Sequence, residues 1–119
     1  MKIAFTTSGK ELSSPLDGRF GRAQRFLIYD TDSREFDLIE NQQNLEAAQG
    51  AGIQAAQNVA RAGAEAVVTG HCGPKAFSVL KTVGIKVFNT DAPTVAEALH
   101  RFSSGDLKPA GSADVEGHW

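Results

Sequence analysis

The segment from Ala64 to Thr90 constrains the fold most strongly, because it has the pattern of a strand, a helix and a second strand in immediate succession. AEAVVTG and IKVFNT are short apolar runs typical of buried strands. Between them, HCGPKAFSVLKTVG predicts a helix that begins at Pro74 and ends at Gly84. Two strands joined by one crossover helix lie parallel in the same sheet, which indicates an α/β fold.

The flanking segments extend this unit to a mixed five-stranded sheet. KIAFTT predicts a first strand, and RFLIYD and FDLIEN, joined by a polar turn, predict an antiparallel hairpin. An alanine-rich segment predicts a helix that begins near Gly50 and Gly52 and ends at Gly63. Thr94 and Glu97 have capping-box spacing, which predicts the start of a last helix. An antiparallel meander followed by two strand–helix units gives one sheet with about three flanking helices.

Length and composition indicate one globular domain. The 119 residues, 41% hydrophobic and 22% charged, suit a single soluble core. We predict a domain over residues 1–107 and a mobile tail over residues 108–119, where Gly, Pro, Ser and charges follow one another without a period. The first residues resemble neither a secretory signal nor a membrane span, so we expect a cytoplasmic protein. A single cysteine, Cys72, excludes an intramolecular disulfide and a multi-cysteine metal site within one chain.

Basic charge is concentrated in LDGRFGRAQRF, residues 16–26, although the formal net charge of the chain is −2. This stretch holds Arg19, Arg22 and Arg25, whereas six acids and one base lie between Asp30 and Glu46. Because the basic residues are confined to one short stretch, they argue against a broad nucleic-acid-binding surface and favour a small anionic ligand. The rigid donor fork of arginine suits planar or polyhedral anions.

Glycines and one aromatic residue accompany these arginines. Gly18 and Gly21 allow a ligand to approach the backbone closely, and Phe20 either covers the ligand or packs the loop onto the core. The alternative interpretation is that Arg22 and Arg25 form ion pairs with acids of the hairpin, which contribute little at a protein surface.

The second unusual stretch is TGHCGPKA, which leaves the fourth predicted strand. A helix that begins at Pro74 presents free backbone N–H groups and the positive end of its dipole, and Lys75 adds a full charge. Cys72 in thiolate form suits a soft metal, and His71 is a candidate ligand or hydrogen-bond donor. The alternative is that Cys72 is a small buried hydrophobe, His71 a turn residue and Lys75 a solvated side chain.

The two stretches are predicted to meet, because parallel strands end at the same edge of a sheet and ligands bind in the crevice there. The first strand ends at Thr7 and the fourth at Gly70. Neither strand carries carboxylates in its C-terminal half, which argues against a two-metal nuclease. A thiol-dependent enzyme is also disfavoured, since His71 faces away from Cys72 and His100 is distant. We therefore predict one anion pocket with two walls.

Several ordered motifs resemble the dinitrogenase iron-molybdenum cofactor biosynthesis family. They are MKIAF, RFGRAQRFLIYD, the GAG before the first helix, TGHCGPKAFSVLKTVGIKVF and TVAEALHRFSSGDL, and they extend from Lys2 to Leu107. The resemblance implies a ribonuclease H-like fold without nuclease chemistry, which binds and carries anionic metal–sulfur clusters. Some members serve nitrogenase cofactor assembly, and others, the orange proteins of sulfate-reducing bacteria, carry a molybdenum–copper sulfide cluster. A short single-domain chain is more similar to the second kind.

The resemblance implies a non-enzymatic carrier with a molybdenum–copper sulfide cluster or an iron–molybdenum–sulfur cofactor precursor as its cofactor. The family's arginine–glycine loop corresponds to Arg19–Ala23 and its glycine-rich turn to Gly70–Pro74. Cys72 is the candidate metal ligand, although many relatives have other residues at positions 71 and 72. The predicted cofactor-binding residues are Arg19, Phe20, Gly21, Arg22, Arg25, Gly70, His71, Gly73 and Lys75.

Coordination chemistry favours noncovalent capture. One thiol and two histidines outside the tail cannot complete the coordination of a multinuclear cluster, whereas its own sulfides can. The expected partners are the anionic cluster and a protein that receives it, with no nucleic acid and no membrane, and the chain is expected to be a monomer or weak dimer. Two other classes stay open: a regulatory or interaction module that docks through the acidic hairpin, and, less favoured, a hydrolase.

Overall fold

The computed structural model describes residues 1–41 and 50–111, which form five strands and three helices. In chain order these are β1 (Lys2–Thr7), β2 (Arg25–Asp30), β3 (Phe36–Glu40), α1 (Ala51–Arg61), β4 (Ala66–Thr69), α2 (Pro74–Thr82), β5 (Lys86–Asn89) and α3 (Val95–Ser103). The strands lie side by side in the order β3-β2-β1-β4-β5. β1 and β3 run antiparallel to β2, whereas β1, β4 and β5 are parallel to one another. The predicted mixed five-stranded α/β sheet with three helices is confirmed.

Helix boundaries follow the local signals in the sequence. Pro74 occupies the start of α2, and the Thr94 hydroxyl accepts a hydrogen bond of 3.1 Å from the Glu97 backbone N–H at the start of α3. The chain leaves each helix through a glycine with positive φ, namely Gly63, Gly84 and Gly105. The three helices have 11, 9 and 9 residues, and no helix of the described ranges is long and apolar enough to cross a bilayer.

The sheet separates two apolar cores. Alternation along β1 sends Ala4 into the core under α1 and α2, and Ile3 and Phe5 into the core under α3. The first core also contains Phe20 and Cys72, which come from the two predicted site loops. Packing on both faces fixes the sheet, and the loops at the carboxyl edge of β1, β4 and β5 are anchored on this rigid base.

The chain after α3 returns to the outer edge of β5. Pro109 forms a bridge with Phe88, and the Ala110 backbone N–H donates to the Val87 carbonyl at 2.7 Å. Backbone pairing places these two residues beside the sheet, and the mobility of the tail over residues 108–119 stays a prediction. Residues 112–119, the rest of the predicted tail, lie outside the described residues, as do residues 42–49 before α1.

Candidate anion-binding site

Two loops form the carboxyl edge of the parallel strands: the arginine loop, residues 16–24, and the β4–α2 loop, residues 70–73. His71 joins them, since its backbone N–H donates to the Gly18 carbonyl at 2.8 Å and its carbonyl accepts from the Phe20 N–H at 3.1 Å. The arginine loop is also tied to β1, where the Thr6 hydroxyl donates to the Asp17 carbonyl at 2.7 Å. The predicted adjacency of the two loops is confirmed, and they form a continuous ridge.

Glycines set the spacing within this ridge and beside it. A Cβ at Gly21 would lie 2.9 Å from the backbone of Gly52 in the first turn of α1, and the Cβ position of Gly52 lies 3.1 Å from Ala76 in the first turn of α2. The arginine loop and the beginnings of both helices therefore meet at one corner. Both helices have glycine at the N-cap, which has no side chain of its own to cap the helix, and the first turns of both helices lie at this corner.

Two of the predicted site residues are buried beneath the ridge. Phe20 is 0% exposed, and its ring packs against Phe26 with 5.6 Å between ring centroids. Cys72 is 1% exposed and belongs to the same apolar core. In this conformation Phe20 holds the arginine loop on the core instead of covering a ligand. The predicted coordination of metal by Cys72 requires movement of the covering side chains and stays a prediction.

Arg25 also belongs to the fold and not to the exposed edge. It lies at the start of β2, where it is 7% exposed. Its guanidinium donates to the Ser8 and Gly9 carbonyls and forms a 3.4 Å ion pair with Glu40 of β3. Arg25 therefore forms an ion pair with an acid of the hairpin, as the alternative interpretation predicts. The charge of its guanidinium is directed at other groups of the protein.

The other predicted cations are presented to solvent. Arg19, Arg22 and Lys75 are exposed, and within residues 1–41 and 50–111 no ion pair engages any of them. The Asp17 carboxylate accepts a hydrogen bond from the Arg19 backbone N–H at 2.9 Å, which fixes the turn without involving the guanidinium. Three cations thus remain at one edge with no described counter-ion.

A cleft of about 550 Å³ lies on the α3 side of the ridge. Paired residues of neighbouring extended segments project to the same side, so Arg19 and His71 share this side, opposite to the Phe20 ring. The far wall of the cleft is formed by Asn89, the last residue of β5, and by residues 90–93 of the loop that follows. The Asn89 side-chain amide donates to the Gly70 carbonyl at 3.1 Å. Sequence reasoning missed this wall, although β5 ends at the same edge as β1 and β4. The cleft is lined by Leu16, Gly18, Gly70, His71, Asn89, Thr90, Asp91, Ala92 and Pro93.

The described residues do not offer a ready metal cage. Among them, no three His, Cys, Asp or Glu side chains lie close enough together to hold a metal ion. Exposed cations and backbone N–H groups can instead bind a preformed anion by charge and hydrogen bonds.

Comparison with known proteins identifies the family of the chain. The family profile described as "Dinitrogenase iron-molybdenum cofactor" matches residues 1–105. The chain belongs to this family. An uncharacterised family relative from Methanocaldococcus jannaschii is 32% identical over 111 residues, covering 91% of this chain and 90% of its own length.

The chain is also similar to proteins of known structure that have the same fold. The apo form of the orange protein from Desulfovibrio gigas is 37% identical, covers 96% of both chains and superimposes with a TM-score of 0.89. A protein from Thermotoga, provisionally named NifB and solved by NMR, is 35% identical over 98% of both chains with a TM-score of 0.81. The recognition of this family from its sequence motifs is confirmed.

Proposed function

We propose that this protein is a non-enzymatic cytoplasmic carrier that binds an anionic molybdenum-containing metal–sulfide cluster without a required covalent bond. The observation that carries the proposal is the pairing of the arginine loop with the β4–α2 loop through His71. This pairing brings Arg19, Arg22 and Lys75 to one edge of the sheet, exposed and without ion pairs among the described residues. Family membership and similarity to the orange protein support the cluster as the anion.

The side chains of the described residues determine which bonds the protein supplies and which the cluster supplies itself. A cluster whose metals are already coordinated by sulfide needs few protein ligands, which suits a site with no three-residue metal group in the described chain. The protein supplies positive charge and backbone donors, which recognise the net charge and the outer sulfides. A protein that accepts the cluster completes the proposed role as a carrier.

The cluster's composition remains the finer part of the proposal. Similarity to the orange protein favours a molybdenum–copper sulfide cluster, and the family description favours an iron–molybdenum–sulfur cofactor precursor. Both are compact anions, and the exposed cations act on either in the same way. Loading experiments with copper or with iron therefore distinguish them.

The test is anaerobic reconstitution of the apo protein. Purified protein is incubated with tetrathiomolybdate and copper(I), or with tetrathiomolybdate and iron(II), desalted, and measured by visible absorption and metal analysis. We expect a coloured protein with molybdenum and a second metal in fixed ratio. A desalted protein that is colourless and free of metal under both conditions would falsify the proposal.

A charge-matched pair of variants locates the site. Arg22→Glu reverses a charge on the arginine loop, and Lys86→Glu reverses one at the opposite edge, where β5 begins. Both positions are exposed. Cluster retention should fall strongly for Arg22→Glu and stay near the wild-type level for Lys86→Glu, and equal losses would remove the arginine loop from the site.

A further inference from the structure

A buried pair of asparagines connects β3, α1 and the arginine loop. Asn41 follows β3 and is 9% exposed, and Asn58 lies in α1 and is 7% exposed. The Asn58 amide donates to the Asn41 side-chain oxygen at 2.9 Å, and Arg61 donates to the Asn58 side-chain oxygen. Burial of a side-chain amide costs free energy unless the amide is hydrogen-bonded. The hydrogen bonds of this pair also position neighbouring groups of the chain.

The Asn41 side chain holds the backbone carbonyls of the two residues that flank Arg22. Its amide nitrogen donates to the Gly21 carbonyl at 3.3 Å and to the Ala23 carbonyl at 2.8 Å. Its backbone N–H donates in addition to the Gln24 carbonyl at 3.1 Å. The orientation of the backbone around Arg22 is thus fixed by one residue outside the loop.

A second contact closes the opposite side of the same segment. Gly21 lies so close to Gly52 that a Cβ there would come within 2.9 Å of the Gly52 backbone. The segment therefore contacts both Asn41 and the first turn of α1, while the Arg22 side chain remains exposed. Arg22 therefore projects outward from a backbone that is held on two sides.

We propose that Asn41, oriented by Asn58, is a positioning residue that presents Arg22 to the anionic ligand. This inference rests on the proposed function, and it adds residues outside both site loops. A preorganised loop binds more tightly because it has less conformational freedom to lose on binding. Asn41 then acts on affinity through Arg22 and does not touch the ligand.

A double-mutant cycle tests this coupling. Retention of tetrathiomolybdate with copper(I) is titrated for wild type, Asn41→Ala, Arg22→Gln and the double variant. We expect Asn41→Ala to weaken binding by about tenfold when Arg22 is present and by less than about twofold when Arg22 is already replaced. Equal losses in the two backgrounds would overturn the inference, and so would an Arg22→Gln variant that binds as well as wild type.

Controls separate positioning from loss of stability. Val95→Ala removes a buried side chain from the α3 core and should lower the unfolding free energy without changing the apparent Kd. If Asn41→Ala does not fold, Asn58→Ala serves in its place, because it leaves the Asn41 donors intact but removes their support.

Amide hydrogen exchange gives a readout that needs no ligand. The backbone N–H of residue 41, which donates to the Gln24 carbonyl of the arginine loop, should exchange faster in Asn41→Ala and Asn58→Ala than in wild type, and exchange at α3 should be unchanged. Unchanged exchange of the backbone N–H at residue 41 would overturn the positioning role even if the wild-type protein retained no cluster. Failure of the inference is therefore distinguishable from failure of the proposed function.

Discussion

The Cβ position of Gly70 lies 2.7 Å from both the Cα and the carbonyl oxygen of Gly18. At this distance any side chain on residue 70 meets backbone, which has no flexible end that can move aside. The close approach allows the Gly18 carbonyl to accept the hydrogen bond from His71. A residue without a side chain is therefore required at the point where the two loops of the site meet.

Gly70→Ala should separate the two loops. We expect a loss of about 1–3 kcal/mol in the free energy of unfolding, because overpacking against backbone forces a shift. Gly18→Ala is the matched control, since nothing lies within 4 Å of its Cβ position. Urea denaturation of both variants makes the comparison, and equal midpoints would show that the contact carries no strain.

Charge reversal at the two ends of α2 should change stability in opposite directions and should lower cluster retention at one end only. Lys75→Glu places an acid in the first turn and should stabilise the helix by roughly 0.3–1 kcal/mol, whereas Lys81→Glu places one in the last turn and should destabilise it by a similar amount. Retention should fall about tenfold for Lys75→Glu alone, because only that residue lies at the end of α2 that adjoins the proposed site. Thermal unfolding and the loading assay measure the two quantities. A Lys81→Glu variant that loses as much cluster as Lys75→Glu would contradict the assignment.

Cys72→Ala should retain the cluster. The thiol is 1% exposed in the apolar core, so noncovalent capture does not depend on it. Metal analysis after loading checks the expectation. Loss of all metal from a folded Cys72→Ala protein would show that a metal–thiolate bond forms after all.

The accessibility of the same thiol can be measured directly. Iodoacetamide should alkylate Cys72 far more slowly in the native protein than in urea, because the covering core must open first. Rapid alkylation of the native apo protein would mean that the site opens easily, and it would favour direct coordination.

The Asp91–Arg101 ion pair should make stability depend on pH at the acidic end. A 2.7 Å hydrogen bond from the Arg101 guanidinium lowers the pKa of Asp91 below its ordinary value of 3.8. A lowered folded-state pKa stabilises the protein above the ordinary value, and this stabilisation is lost as pH falls through the lowered pKa. Asp91→Asn should therefore be less stable than wild type at about pH 7 and equal to it at about pH 2.

Urea denaturation at the two pH values measures this difference. Asp91 is exposed and Arg101 is half-buried, so added salt should reduce the difference. A difference between wild type and Asp91→Asn that persists unchanged in acid would rule out the ion pair as its cause.

Local signals predicted the elements and their order well. Helix ends depend on residues only a few positions away, as at Pro74, Gly84 and the Thr94–Glu97 cap. The period of the apolar residues distinguishes a strand from a helix without tertiary information. Adjacency of the two loops followed from topology alone, because β1 and β4 are parallel neighbours.

Burial within the loops could not be predicted in the same way. Arg22 and Arg25 look alike in the sequence, but Arg25 has entered β2 and its side chain is covered by the Ser8 and Gly9 backbone. Phe20 is buried because the loop folds back onto Phe26. The Asn89–Pro93 wall of the cleft was missed since it carries no cluster of charge or glycine, and only the shared edge of β5 points to it.

The backbone pairing of Pro109 and Ala110 with β5 has a consequence for solubility. An uncovered parallel edge strand offers a row of unpaired N–H and C=O groups to other chains. Pro109 has no N–H of its own, so a further strand cannot continue regular pairing across it. A chain shortened to end at Leu107 would present β5 as a bare edge, and we would expect it to aggregate although its core and its anion site were intact.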